Sequence, residues 1–130
     1  MMGTSLNKLF ALLVLPLALT GCSSIQVTNL TPHQLPRDAN GLYPFEAAWR
    51  SNQQSLRKDS IKAYVVVGAE FYPMQPVPVV KNRWETLVPI PASETLLYYH
   101  YKFDFDYNSI PIVRSDSKLS PPCSLQIVDK

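Results

Sequence analysis

From residue 25 onward the chain alternates apolar and polar positions in runs too short for helices. The segment Ile25-Gln26-Val27-Thr28-Asn29-Leu30 opens the pattern, and Tyr43, Phe45, Ala47 and Trp49 continue it on one face. Between Ile61 and Tyr72 the odd positions Ile61, Ala63, Val65, Val67, Ala69 and Phe71 are all apolar. Their β-branched content predicts a single strand over 61–72. Trp84, Thr86, Val88 and Ile90 share a side of the next strand. Thr95 to Tyr107 carries Leu97, Tyr99, Tyr101, Phe103, Phe105 and Tyr107 on one face, and Ser124 to Val128 closes the series. The intervening stretches 31–41, 51–60 and 108–122 are rich in turn formers or polar residues and predict loops. Pro73 to Val80 cannot pair inside a sheet, because proline donates no amide proton, so it predicts an edge or a crossing segment. About seven short strands without an amphipathic helix predict an all-β fold, a single antiparallel immunoglobulin-like β-sandwich over residues 25–130.

The first 21 residues follow another pattern. Lys8 and the amino terminus are positive, Leu9 to Leu19 is an apolar run, and Thr20 and Gly21 are small. That is a secretory signal. The run is interrupted by Pro16 and is shorter than the roughly 18 residues a membrane span needs. Leu19-Thr20-Gly21-Cys22 resembles the lipobox of bacterial lipoproteins. The resemblance implies cleavage before Cys22, diacylglycerol on its thiol and acylation of the new amino terminus. Membrane attachment through the lipid on Cys22 follows, with 22–24 as a short tether. Ser23, where an aspartate favours the inner membrane in such lipoproteins, implies the outer membrane of a Gram-negative cell.

Losing 21 of 130 residues leaves 109, enough for one domain with its own core. The chain has 12 basic and 10 acidic side chains, and losing Lys8 brings its net charge from +2 to +1. Such a balance offers no overall attraction for nucleic acid or anionic lipid. Cys22 and Cys123 are the two cysteines, so a lipid on the first leaves no internal disulfide. Cys123 shares a face with Leu125 and Ile127, which suits a small buried apolar residue; an intermolecular disulfide is the other use.

Catalytic chemistry is sparse. His33, His100 and Cys123 do not make a zinc set, and no phosphate loop, nucleophile elbow or His-Glu-x-x-His pattern occurs. The expectation is no enzyme, no cofactor and no metal site. Asp104 and Asp106 lie two apart on one strand and face the same way. A solvated face, a calcium site and acid/base work all remain open for them. Tyr64, Tyr72 and Tyr98 have even parity on strands whose odd positions form the core, so they either make a binding patch or lie under loops. The proline-rich stretch offers Met74 and Val77, with Val79, as a stiff apolar strip that either presents itself to a partner or blocks strand addition.

One further likeness spans residues 61–107. Val65 to Met74 (VVVGAEFYPM), Asn82 to Pro91 (NRWETLVPIP) and Tyr99 to Asp106 (YHYKFDFD) resemble the early-set immunoglobulin-like modules related to glycogen- and starch-binding domains. The resemblance implies their sandwich fold. Tyr72-Pro73 stands where those modules have a sugar-stacking tryptophan. The functional expectation is a noncatalytic envelope module that binds a protein or serves a structural role, with glycan binding as the alternative.

Overall fold

The computed structural model describes residues 24–129; the expected signal segment and Cys22 lie outside the described residues. In chain order the strands are β1 (Ile25–Asn29), β2 (Gln34–Pro36), β3 (Leu42–Ser51), β4 (Lys62–Val67), β5 (Glu70–Pro73), β6 (Gln75–Pro76), β7 (Arg83–Pro89), β8 (Leu96–Tyr107), β9 (Arg114–Leu119) and β10 (Cys123–Val128). One sheet runs β1-β3-β7-β6. The other runs β2-β10-β8-β4-β5, and β9 also pairs with β8. In the immunoglobulin scheme these are the A-B-E-D sheet and a G-F-C sheet extended by β5. The domain is an all-β immunoglobulin-like sandwich, as the alternation predicts.

The core lies between the sheets and is built from the expected faces. Tyr43, Phe45, Ala47 and Trp49 of β3 meet Tyr99, Tyr101, Phe103 and Phe105 of β8, and all eight are buried. Antibody domains bridge these two strands with a disulfide. Here aromatic packing takes that place. Phe103 stacks on Trp49 at 5.0 Å between ring centroids and meets Trp84 edge-on at 5.4 Å. Each such pair adds about 0.5–1.5 kcal/mol beyond the area it buries.

A polar link runs through the same core. The Tyr101 hydroxyl donates to Asn29 Oδ1 at 2.7 Å and lies 2.8 Å from Thr31 Oγ1. Asn29 Nδ2 donates to the Tyr99 hydroxyl at 2.8 Å, and Glu46 N donates to Thr31 Oγ1 at 3.0 Å. Buried polar groups are tolerable when they pair in this way. The link fixes the chain where it leaves β1 in one sheet and enters β2 in the other.

Four expectations need correction. The stretch 61–72 is two strands, since Gly68, with φ +58°, and Ala69 form a tight turn between Val67 and Glu70. A two-residue turn puts Val67 and Glu70 on one face, so the parity inverts beyond it. The sandwich is not wholly antiparallel, because β2 runs parallel to β10. Both β2 and β9 lie in stretches expected to be loops. Every residue of β9 is exposed, so it carries no apolar alternation; the backbone ladder to β8 holds it. The proline-rich segment does cross, from β5 in one sheet to β6 in the other, but Met74 at its start is buried.

The loops divide between two ends. Ser24 N donates to Asn52 Oδ1, Asn108 N to Ser55 O, and Trp49 N to Asn82 O. The chain entry and the loops 52–57, 77–82 and 108–113 therefore share one end. The turns 37–41, 68–69 and 90–95 lie at the other. Val79, in the first set, has φ +70°, a left-handed conformation costly for a β-branched residue.

Candidate functional site

The outward face of the larger sheet carries aromatic, basic and acidic side chains side by side. Outward positions of β8 are Tyr98, His100, Lys102, Asp104 and Asp106; those of β4 are Lys62, Tyr64 and Val66. The inverted parity brings Phe71 of β5 onto this face opposite Val66. Tyr98 is 67% exposed and Phe71 is 49% exposed. Tyr64 meets Phe71 edge-on at 6.1 Å, and Lys102 Nζ sits 5.4 Å from the Phe71 ring centroid. Val66 is buried although it points outward. The result is an aromatic patch with one cation over it.

A groove of about 580 Å³ continues this face toward β9, lined by Lys62, Tyr64, Asp104, Asp106 and serines 60, 115 and 117. Its carboxylates are already engaged. Ser117 Oγ donates to Asp104 at 2.6 Å, Ser115 Oγ donates to Asp106 at 2.7 Å, and Lys102 Nζ lies 3.3 Å from Asp104. Among the described residues no group of three or more His, Cys, Asp and Glu is placed to hold a metal ion. The arrangement suits a hydrogen-bonding surface rather than a reaction centre.

A second groove, of about 600 Å³, lies on the smaller sheet between Pro44, Glu46, Gln75, Glu85 and Leu87. Glu46 and Glu85 face each other across β3 and β7, and Arg83 reaches Glu46 at 3.8 Å. Cys123 is half-buried against the core and points its thiol at Pro121 O, 3.4 Å away. Burial pushes that thiol above its usual range, the opposite of what a nucleophile requires.

The expected tyrosines are not brought together. Tyr64 and Tyr98 share the outward face, but Tyr72 packs against the core. It does so because the Gly68–Ala69 turn reverses which residues of β5 face inward. Met74 is only 7% exposed and its N–H donates to Ala63 O at 2.8 Å, so it cannot form an external strip. Val77 is half-buried, and Val79 alone of that strip is fully in solvent. Alternation alone assigns Phe71 to the core and Lys102 to a solvated face; Gly68 within the apolar run is the sequence signal for the turn that exposes Phe71.

No protein-family model matches the chain, and no curated protein matches its sequence. Solved structures similar in outline include the following two. One is AggA, the major subunit of aggregative adherence fimbriae type I from Escherichia coli, at 9% identity and a TM-score of 0.44, covering 85% of this chain and 97% of that chain. The other is murine CRIg, at 8% identity and a TM-score of 0.39, covering 85% of this chain and 99% of that chain. The immunoglobulin-like assignment stands on the strand order and register of the two sheets.

Proposed function

We propose that this chain is a lipid-anchored, noncatalytic module of the bacterial envelope that binds another protein through the outward face of its larger sheet. The observation that carries the reading is the edge-on pair of Tyr64 and Phe71, with exposed Tyr98 further along the same face, beside carboxylates already paired with serines. Exposed aromatic rings give large contact area for little lost side-chain freedom. The lipobox-like Leu19-Thr20-Gly21-Cys22 supports the anchor, and Ser23 after it supports the outer membrane. Glycan stacking is the weaker reading, because Lys102 covers Phe71 and Tyr72 faces the core. The test is a photo-crosslinking residue at Tyr98 in whole cells, compared with one at Leu87 on the other sheet. A discrete protein adduct from position 98 alone supports the reading. Recovery of the 98-labelled protein only as an unattached monomer sinks it.

A further inference from the structure

The near-neutral chain is strongly polarised from end to end. At the end where the chain enters, Arg50, Arg57, Lys58, Lys81 and Arg114 are exposed; among the acids of the loops 52–57, 77–82 and 108–113 and their immediate flanks, Asp59 is exposed, while Asp106 is half-buried and accepts from Ser115. At the far end Asp38, Glu70, Glu94 and Asp129 are exposed, and Arg37 is paired to Asp129 at 2.6 Å. Apolar side chains follow the basic charge. Val79 and Ile110 are essentially fully exposed at 103% and 96%, and Val80, Ile112 and Val113 stand beside them in the same two loops. Apolar loop tips ringed by basic residues are costly in water and suited to the boundary between headgroups and acyl chains.

We infer that this end of the sandwich docks on an anionic bilayer surface, with the 110–113 and 79–80 tips entering the interface and the five basic side chains meeting lipid headgroups. The inference rests on the lipid anchor proposed above. Only Ser23 separates Cys22 from Ser24, so the two lie at most about 7 Å of extended chain apart. Ser24 is itself held at this end by Asn52. An anchor so close leaves the loops 52–57, 77–82 and 108–113 facing the membrane. The acidic end then points away from the headgroups, which adds a repulsive bias against the inverted pose. In this pose the Tyr64–Phe71–Tyr98 face stands on the side of the domain, open to a partner in the same compartment.

The test uses the full chain, extracted from membranes and reconstituted in phosphatidylcholine–phosphatidylglycerol vesicles with brominated acyl chains. Trp49 and Trp84 are buried and give a constant background. Ile112→Trp places a reporter on the exposed tip, and Ala69→Trp places one on the exposed far turn. The expected result is a blue-shifted reporter at 112 that loses most of its emission to bromine, and an unshifted, unquenched reporter at 69. Phosphatidylcholine alone should weaken the quenching at 112. Intact mass on the same sample separates this inference from the anchor. Lipid on Cys22 with equal or absent quenching at both positions overturns the docking and leaves the anchor standing. Absence of lipid overturns both. A protein adduct at position 112 in cells, without bromine quenching, assigns this end to a protein partner and overturns the docking.

Discussion

Tyr101 and Thr31, 70 residues apart in sequence, place their hydroxyl oxygens 2.8 Å from each other inside the sandwich. Through this pair and Asn29, the end of β1 is tied to the central strand of the opposite sheet. Removing one hydroxyl should therefore show as lost stability rather than as a local change. Tyr101→Phe keeps the ring packed and deletes the donor to Asn29. The expected cost is about 1–3 kcal/mol, the range for a buried hydrogen bond whose partner is left short. Urea unfolding followed by tryptophan fluorescence measures it. A midpoint unchanged from wild type would mean the link does not hold the two sheets.

The same tyrosines set a pH dependence. Burial first, with a neighbouring tyrosine and cysteine adding in, raises Tyr101 far above its ordinary value near 10, and burial raises Tyr99 in the same direction. The folded domain thus keeps phenolic protons that the unfolded chain releases near pH 10. Their contribution is complete below about pH 10 and is lost as pH rises toward the raised folded values. Cys123 acts with the same sign from its ordinary value of 9.0 upward. Unfolding midpoints should be level from about pH 7 to 9 and fall steeply above about pH 10. The fall should be shallower in Tyr101→Phe. A midpoint constant through about pH 11 would contradict the burial of these groups.

Val79 offers a gain instead of a loss. Its φ of +70° suits asparagine far better than a β-branched residue, and its side chain touches solvent alone. Val79→Asn should stabilise the domain by about 1 kcal/mol, the order of the left-handed penalty. Differential scanning calorimetry would register a higher Tm; a lower one would mean that the 77–82 loop is held by its valine.

The sheets were legible where one face is buried and the other is wet. Phe103 and Phe105 are apolar while Lys102 and Asp104 are charged, so parity alone assigns β8. The same reasoning failed at Gly68–Ala69, where two small residues continue the alternation straight through a turn. Unbroken alternation gives Tyr72 the outward parity and Phe71 the inward one, and the turn exchanges them. Strand β9 escaped notice because Arg114, Ser115, Asp116, Ser117, Lys118 and Leu119 have no inward apolar set. Asp116 and Lys118, opposite Phe105 and Phe103, are charges on the core side of an edge strand, a device that discourages strand addition. The Tyr101–Thr31 link was invisible for a different reason: periodicity reports which face a ring occupies, not which distant oxygen its hydroxyl meets. The candidate face was legible at Tyr64 and Tyr98 and hidden at Phe71.

The proposed attachment of the domain to the envelope by lipid on Cys22 is open to intact-mass analysis of the protein extracted from membranes. The expected product is a mature chain that begins at Cys22 and carries the added mass of diacylglycerol and an acyl group, retained in the detergent phase. Cys22→Ser should leave an uncleaved or lipid-free protein that no longer partitions into detergent. A mature chain that begins elsewhere, or a Cys22→Ser protein with unchanged mature mass and unchanged membrane association, would contradict the lipid attachment.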